Sequence, residues 1–269
     1  MNKKTEKHPV LKTIRMIVIL LLSAVCLFCA VRLAVYYIEF KINEQLVASI
    51  ADMAKIERDH TPDRNDEPTD SDVSEESARY SDKLTFTIDF PKLNKSYSDM
   101  QAWLYSEGTP IDYPVAQAKD NETYLSVSPD GSYNPNGTLF IDCRNKSDFT
   151  DNKTIIYGHH MRSGSMFGTL PNYKSQDYYD EHPVMYLITK KGEYAVLLFA
   201  GAVVPEDSEI YSVGIDDEEL FKLVEELRED STFTSSVALK KGERILTLST
   251  CSYEYDGARF ILLGKLVKI

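Results

Sequence analysis

Cysteine is scarce in this chain, which holds 4 among 269 residues. Cys26 and Cys29 lie in an apolar run, so only Cys143 and Cys251 fall in the polar remainder. These two could form one disulfide, but they cannot form the framework of a disulfide-rich secreted domain. No CxxC…CxxC or HExxH pattern occurs, so no motif supports a metal site.

Positive charge is also in short supply, with 30 Lys and Arg against 42 Asp and Glu and a net charge of −12. Residues 1–44 hold seven Lys and Arg against three Glu, a local charge of +4, so the remainder of the chain carries about −16. An acidic surface repels the phosphate backbone of DNA and RNA. The sequence therefore argues against a nucleic acid partner.

The N-terminal region combines a basic tail, residues 1–15, with an apolar segment, residues 16–38, that Arg32 alone interrupts. This segment is long enough to cross a hydrocarbon core of ~30 Å. Its positive N-terminal flank predicts a cytoplasmic N-terminus and an exported remainder. A cleaved signal peptide is the alternative, but no small-x-small site ends the run. We therefore predict a single-pass anchor in the cell membrane, with the folded part outside the cell.

Residues 39–82 are predicted to connect this anchor to a folded domain. Residues 39–59 have apolar side chains at helical spacing and should continue the membrane helix. Residues 61–82 are rich in acids, with Val73 and Ala78 as the only aliphatic side chains. Such a stretch cannot bury enough apolar surface to fold, so we predict a flexible acidic linker. The folded domain then comprises residues 83–269.

This domain is predicted to be mainly β, because short β-type runs follow one another at close spacing. About eight strands and few helices indicate a mixed or antiparallel barrel. The predicted strands are residues 84–90, 111–117, 137–143, 154–157, 184–189, 193–203, 244–250 and 259–267, and the predicted helices are 97–107 and 216–230.

Cys251 is the candidate nucleophile, since it ends a β-type run and precedes a turn. A single cysteine is more often a small buried hydrophobe, and Cys143 suits that interpretation. A nucleophilic cysteine needs a base or an imidazolium nearby. His159 and His160 follow a strand end at Gly158, although both could be exposed loop histidines. The other histidines lie in the tail, beside the linker and before a proline: His8, His60 and His182.

Arg259 is the candidate oxyanion donor, because arginine offers several N–H groups and keeps its charge. Arg244 lies too far upstream on the strand that ends at Cys251. A two-residue turn at 256–257 would place Arg259 and Cys251 on opposite faces of the hairpin. A three-residue loop at 255–257 would pair residue 253 with residue 259. The side chains of Cys251 and Arg259 would then lie on the same face of the hairpin. A catalytic role for both residues therefore requires a loop with an odd number of residues, or a β-bulge.

These residues resemble the sortases, the cell-wall cysteine transpeptidases of Gram-positive bacteria. The run 247–251 matches their TLxTC signature, residues 157–160 resemble the segment with their histidine, and Arg259 lies where their arginine does. Residues 111–115, 119–121, 124–125 and 165–167, with the insertion 204–243, are similar to class B members. The resemblance implies a closed eight-stranded β-barrel with a few peripheral helices behind the transmembrane helix.

The resemblance also implies roles for particular residues. Cys251 would be the nucleophile, His159 the acid and base, and Arg259 the group that holds the substrate carbonyl; His160 is a neighbour that the sequence does not exclude. Ser252 replaces the acidic residue that the family has after cysteine, with Glu254 two positions on. The implied peptide-binding residues are Asn121, Leu125, Tyr157, Ser249 and Thr250, with Tyr211 and Ile210 as a further wall.

The implied reaction cleaves a sorting signal after a threonine and forms a Cys251 thioester. It then transfers the surface protein to an amine of a peptidoglycan precursor, without metal or organic cofactor. Three alternatives stay open: a membrane-anchored cysteine peptidase that uses water, a pilin polymerase that uses a lysine, and a non-catalytic binding module. The sorting motif, LPxTG-like or NPxTN-like, is not defined by the sequence.

Overall fold

The computed structural model describes residues 9–54 and 87–269 of the chain. These divide into two units, one that ends at Gln45 and one that runs from Leu46 to Ile269. The predicted linker at 61–82 and the predicted domain start at residue 83 lie outside the described residues.

The N-terminal unit belongs to a single helix, Pro9–Ala54. Within it, Leu11–Ile50 has a mean hydropathy of 2.7 over its most apolar window, and the large apolar side chains between residues 11 and 38 are exposed. In the described part of the chain, it is the one helix long and apolar enough to cross a membrane. Its length and composition suit a membrane anchor and also a signal sequence. The helix predicted at 39–59 is confirmed up to Ala54.

The second unit is a closed β-barrel of eight strands, which confirms the predicted fold class. The strands are β1 (Met100–Tyr105), β2 (Asp112–Ala116), β3 (Leu139–Ile141), β4 (Lys153–Tyr157), β5 (Val184–Thr189), β6 (Gly192–Pro205), β7 (Ile245–Cys251) and β8 (Ala258–Lys268). Around the barrel the order is β1-β2-β3-β4-β7-β8-β6-β5. The pairs β2–β3 and β4–β7 are parallel, and the other pairs are antiparallel.

The barrel is apolar on the inside and, over part of its wall, on the outside. Along β8, Phe260 and Leu262 belong to the main core, whereas Ile261 and Leu263 belong to a second cluster. Neighbouring residues of a strand face opposite sides, so the two clusters lie on the two faces of the sheet. The segment between β6 and β7 covers the second cluster, and its helix Asp217–Glu229 contributes Leu220 and Val224.

Two predicted elements at the start of the domain are wrong. Residues 97–107 were expected to form a helix, but Met100–Tyr105 is strand β1. This run pairs with β2 on one side and β5 on the other, and long-range pairing overrides a weak local helix pattern. Trp103 is buried, as expected, and its Nε1 donates to Asp112 Oδ1 over 2.8 Å.

The strand predicted at 84–90 is also absent from the described part of that run, residues 87–90. Phe90 begins a short helix, Phe90–Ser96. The Asp89 carboxylate caps this helix by accepting from Lys92 N over 2.9 Å, and Pro91 lies in its first turn. Both features favour a helix start, and the β-type alternation before them does not reveal it. The first of the eight barrel strands is therefore β1, not the run at 84–90.

The helix predicted at 216–230 is confirmed as Asp217–Glu229. Asp216 Oδ1 accepts from the backbone N–H groups of Glu218 and Glu219, each over 2.9 Å. Three acids in the first turn add a favourable interaction with the positive end of the helix dipole.

We expect Asp216→Ala to lower the free energy of unfolding by about 1 kcal/mol, because two backbone donors lose their acceptor. Asp216→Asn should retain most of the stability, since the asparagine side-chain oxygen can still cap the helix. Urea unfolding of the protein and both variants measures the difference. An alanine variant as stable as the asparagine variant would contradict this role of the cap.

Candidate active site

The parallel pairing of β4 and β7 brings the candidate histidine and cysteine to one edge of the barrel. The register ends with Tyr157 opposite Ser249. Parallel strands have their carboxyl ends at the same edge, so the residues that follow emerge side by side. Gly158 N donates to Ser249 O over 3.1 Å, and Thr250 Oγ1 donates to Gly158 O over 2.8 Å. These two bonds continue the pairing up to His159 and Cys251.

Gly158 is required by close packing at this strand end. A Cβ atom here would lie 2.4 Å from Leu139 Cδ2 and 2.7 Å from Phe167 Cδ2, well inside contact distance. Any side chain at this position would therefore push the His159 segment away from the barrel.

The β7–β8 hairpin places Arg259 directly opposite Cys251. Directly opposite residues of an antiparallel pair project to the same face, so the required parity is present. Neither the two-residue turn nor the three-residue loop that would pair 253 with 259 is formed, because residues 252–257 connect the two strands. Ser252 N donates to Ala258 O over 2.9 Å, and a turn closes with Ala258 N donating to Tyr255 O over 3.2 Å.

His159 and His160 have different surroundings. His159 Nε2 lies 2.7 Å from the carbonyl oxygen of Leu125. A carbonyl oxygen only accepts, so Nε2 carries a hydrogen and donates it to Leu125. Nδ1 is then the ring nitrogen that remains for proton transfer. His160 Nδ1 donates to the carbonyl of Cys251 over 2.9 Å, and its ring stacks on Tyr253 with centroids 5.1 Å apart. His159 lines the groove beside Cys251 and Arg259, whereas His160 lies against the hairpin connection.

A groove with a volume of about 600 Å³ contains the three candidate catalytic side chains. Six of the seven residues expected to bind peptide line it: Asn121, Leu125, Tyr157, Tyr211, Ser249 and Thr250. Ile210 does not line it; its side chain is buried in the outer apolar cluster beneath the insertion.

Four further lining residues were missed in the sequence: Phe140, Arg144, Gly158 as a groove residue, and Glu206. Phe140 packs against Tyr157 with ring centroids 5.3 Å apart, which only the β3–β4 register could have indicated. Glu206 directly follows β6, so its position depends on the β6–β8 pairing. Long-range pairings of this kind leave no local signal in the sequence.

A buried carboxylate, Asp142, holds several groove residues from below. It accepts from Asn121 Nδ2 over 3.1 Å, from the Tyr157 hydroxyl over 2.9 Å, and from Arg144 Nε and Nη2 over 2.9 and 2.7 Å. Burial alone would raise the pKa of Asp142, but the hydrogen bonds from Arg144 and Tyr157 outweigh it and lower the pKa. Asp142 is therefore a charged acceptor that fixes one side of the groove.

A further wall is the single turn Glu209–Tyr211 of the insertion, which hydrogen bonds from two basic side chains connect to the barrel. Arg144 Nη2 donates to Tyr211 O over 3.0 Å, and Lys153 Nζ donates to Ile210 O. The Tyr211 hydroxyl hydrogen-bonds Ser249 Oγ over 2.8 Å. Burial raises the pKa of Tyr211 to about 12, so this hydroxyl stays neutral. The wall is thus connected to the strand that carries Cys251.

Ser252, at the position where the family has an acid, points away from the groove. Its side chain is buried, and its hydroxyl donates to the carboxylate of Glu254. Lys174 forms an ion pair with that carboxylate. The bonds from Lys174 and Ser252 lower the pKa of Glu254 to about 2. Ser252 and Glu254 therefore fasten the hairpin connection to the segment Leu170–Lys174.

Lys153 yields a pH-dependent prediction. Burial, with a smaller effect from the charge of Arg144, lowers its pKa to about 8. Because the unfolded chain binds the proton more tightly, stability from this group rises as pH increases from about 8 towards the usual lysine value. The unfolding free energy of the wild type, minus that of Lys153→Met, should therefore increase over this range by on the order of 2–3 kcal/mol. Urea unfolding at several pH values measures it; a constant difference would contradict the buried-lysine account.

Comparison with known proteins identifies relatives of this chain. Sortase B of Listeria monocytogenes is 37% identical over 184 residues, which cover 66% of this chain and 73% of the relative. Sortase B of Staphylococcus aureus is 30% identical over 183 residues, covering 67% of this chain and 75% of the relative. A comparison with protein-family models gave no match.

The solved structures that this chain resembles are also sortase B proteins. Sortase B of Staphylococcus aureus in complex with substrate has a TM-score of 0.63 at 29% identity, covering 67% of this chain and 85% of that one. Sortase B of Bacillus anthracis in complex with AAEK1 has a TM-score of 0.69 at 25% identity, covering 87% of this chain and 100% of that one. The chain therefore belongs to the sortase B family of cysteine transpeptidases.

Proposed function

We propose that this protein cleaves a sorting-signal peptide after a threonine and transfers the resulting acyl group to an amine of a peptidoglycan precursor. Cys251 is the nucleophile, His159 the general acid and base, and Arg259 the donor to the oxyanion. The observation that carries the proposal is the placement of all three side chains in one groove, with Arg259 directly opposite Cys251.

The first half-reaction forms a thioester. The Cys251 thiol gives its proton to Nδ1 of His159, and the resulting thiolate attacks the carbonyl carbon of the threonine. The Arg259 guanidinium stabilises the negative charge that develops on the carbonyl oxygen. Collapse of this intermediate breaks the C–N bond. The leaving amine takes a proton from His159, whose Nε2–H bond to the Leu125 carbonyl leaves Nδ1 as the nitrogen for proton transfer.

The second half-reaction uses the same groups in reverse. An amine attacks the thioester carbon and gives a proton to His159, and the Cys251 thiolate leaves as the new amide forms. Water in place of the amine would produce hydrolysis, the peptidase alternative. Sortase B of Staphylococcus aureus has been solved in complex with substrate, and a sortase B structure has been solved in complex with triglycine, which supports a peptide donor and an amine acceptor in this family.

The groove suits an extended peptide that makes both apolar and polar contacts. Tyr157 and Tyr211 stack with ring centroids 6.2 Å apart and offer an aromatic surface, while Asn121, Ser249 and Thr250 offer polar atoms. Concave sites of this kind combine apolar contact area with a few polar groups that set orientation. We assign these residues, with Leu125, to binding of the sorting signal.

The N-terminal helix serves in this proposal as a single-pass anchor at residues 16–38, with the basic tail 1–15 in the cytoplasm. Residues 39–82 would then connect it to an extracellular catalytic domain, residues 83–269. A helix of this composition near the N-terminus supports the arrangement, and an anchored enzyme suits substrates that are themselves held at the membrane.

The test is turnover of LPxTG-like and NPxTN-like peptides, with triglycine or a diaminopimelate-type amine supplied. We expect cleavage after threonine and an amide product that grows with amine concentration. His159→Ala should lose at least ~100-fold in kcat/KM, whereas His160→Ala should lose much less, because general acid–base catalysis contributes about 10²–10⁴-fold.

Cys251→Ala should abolish turnover, and Cys143→Ala is the matched control that should keep it. Products are identified by chromatography and mass spectrometry. Equal losses in the two histidine variants would refute the assignment of His159. Peptide cleavage that yields only the free acid at all amine concentrations would favour the peptidase over the transpeptidase.

A further inference from the structure

We propose that Glu206 is a positioning residue for Arg259, holding the guanidinium over the groove where the substrate carbonyl binds. This inference rests on the proposed function and extends it by one residue. Glu206 belongs to the insertion side of the groove and follows the last residue of β6, Pro205.

The sheet register places Glu206 on the same face as Arg259 and Cys251. Val204 of β6 lies directly opposite Arg259 of β8. Glu206, two residues after Val204, therefore projects to the same face and lies diagonal to Arg259, a distance that long side chains can bridge. Across β7, β8 and the end of β6, the register thus aligns a thiol, a guanidinium and a carboxylate.

The backbone of Glu206 is fixed beyond the end of the strand. Its N–H donates to the carbonyl of Gly257 over 3.0 Å, which extends the β6–β8 pairing into the hairpin connection. Its side chain lies over Gly257, where a Cβ atom would be 3.4 Å from the Glu206 carboxyl carbon. Gly257 also has a φ of +76°, which favours glycine. The Glu206 side chain therefore packs against the turn that directly precedes β8 and Arg259.

The contact itself orients the guanidinium. Arg259 Nη2 donates to Glu206 Oε2 over 2.7 Å, and Nη1 donates to the carbonyl of Ala258 over 3.0 Å. These bonds use two of the five N–H groups of a planar, rigid fork. Two anchors fix the plane of such a group, so a substrate oxygen can accept from another N–H without displacing Glu206.

An effect on catalysis, and not on stability, is expected from this pair. The Glu206 side chain is 62% exposed and that of Arg259 is 29% exposed. Ion pairs at such exposure contribute little to folding. A misdirected oxyanion donor, in contrast, weakens an interaction that matters chiefly in the transition state, and so lowers kcat more than it raises KM.

The experiment measures kcat and KM for transpeptidation of the best peptide of the panel to triglycine. We expect Glu206→Ala to lower kcat about 10-fold with KM within about 2-fold, since full loss of an oxyanion donor costs about 10²–10³. Glu206→Gln should restore at least half of the wild-type kcat, because its amide oxygen can still accept from Arg259. The matched control is Asp207→Ala, which removes the adjacent exposed acid and should leave both constants unchanged.

A double-mutant cycle makes the assignment specific. In an Arg259→Ala background, Glu206→Ala should cause no further loss, because the group that it positions is absent. An unchanged or increased kcat in Glu206→Ala overturns the inference and leaves the proposed function intact; an increase would mean that Glu206 withholds Arg259 from substrate. Equal loss in Glu206→Ala and Asp207→Ala also overturns it. If the wild type itself produces no amide, the proposed function fails and the inference fails with it.

Discussion

The parallel pairing of β4 with β7 is the constraint on which the candidate active site depends. It brings two strand ends, far apart in sequence, to one edge of the barrel, and the hairpin to β8 adds Arg259 opposite Cys251. Gly158 lets the histidine segment lie against the barrel at the distance that this geometry demands. The closed sheet thus carries Cys251 and Arg259 on neighbouring strands, and His159 lies two residues beyond the end of β4. This arrangement places the three candidate catalytic groups close together.

A network of charged side chains around the buried Asp142 holds the walls of the groove at this edge of the barrel. Asp142 accepts from Asn121, Tyr157 and Arg144, and Arg144 also donates to the carbonyl of Tyr211 in the insertion. Loss of one partner from such a network leaves a buried charge uncompensated, which costs more than the bond itself contributes. The insertion between β6 and β7 is in this way part of the site, and its aromatic wall is tied to the strand that carries Cys251.

Much of this site could be predicted from sequence, because its groups occur in short local patterns. Cys251 ends a β-type run, His159 follows a strand and a glycine, and parity required Arg259 to share a face with Cys251. The strand β1 was mistaken for a helix because its partners β2 and β5 follow it in sequence and give no local signal. Glu206, Arg144 and the true hairpin register were missed for the same reason: each depends on which strands lie side by side.

The central claim is that Cys251 carries the acyl group during transfer, and mass spectrometry of the trapped acyl-enzyme tests it most directly. The protein is incubated with a cleavable peptide in the absence of amine, quenched in acid and digested to locate the adduct. The account predicts a thioester on Cys251 with the mass of the peptide up to its threonine, which added triglycine removes. An adduct on Cys143, or peptide cleavage without any adduct while Cys251→Ala remains active, would contradict it.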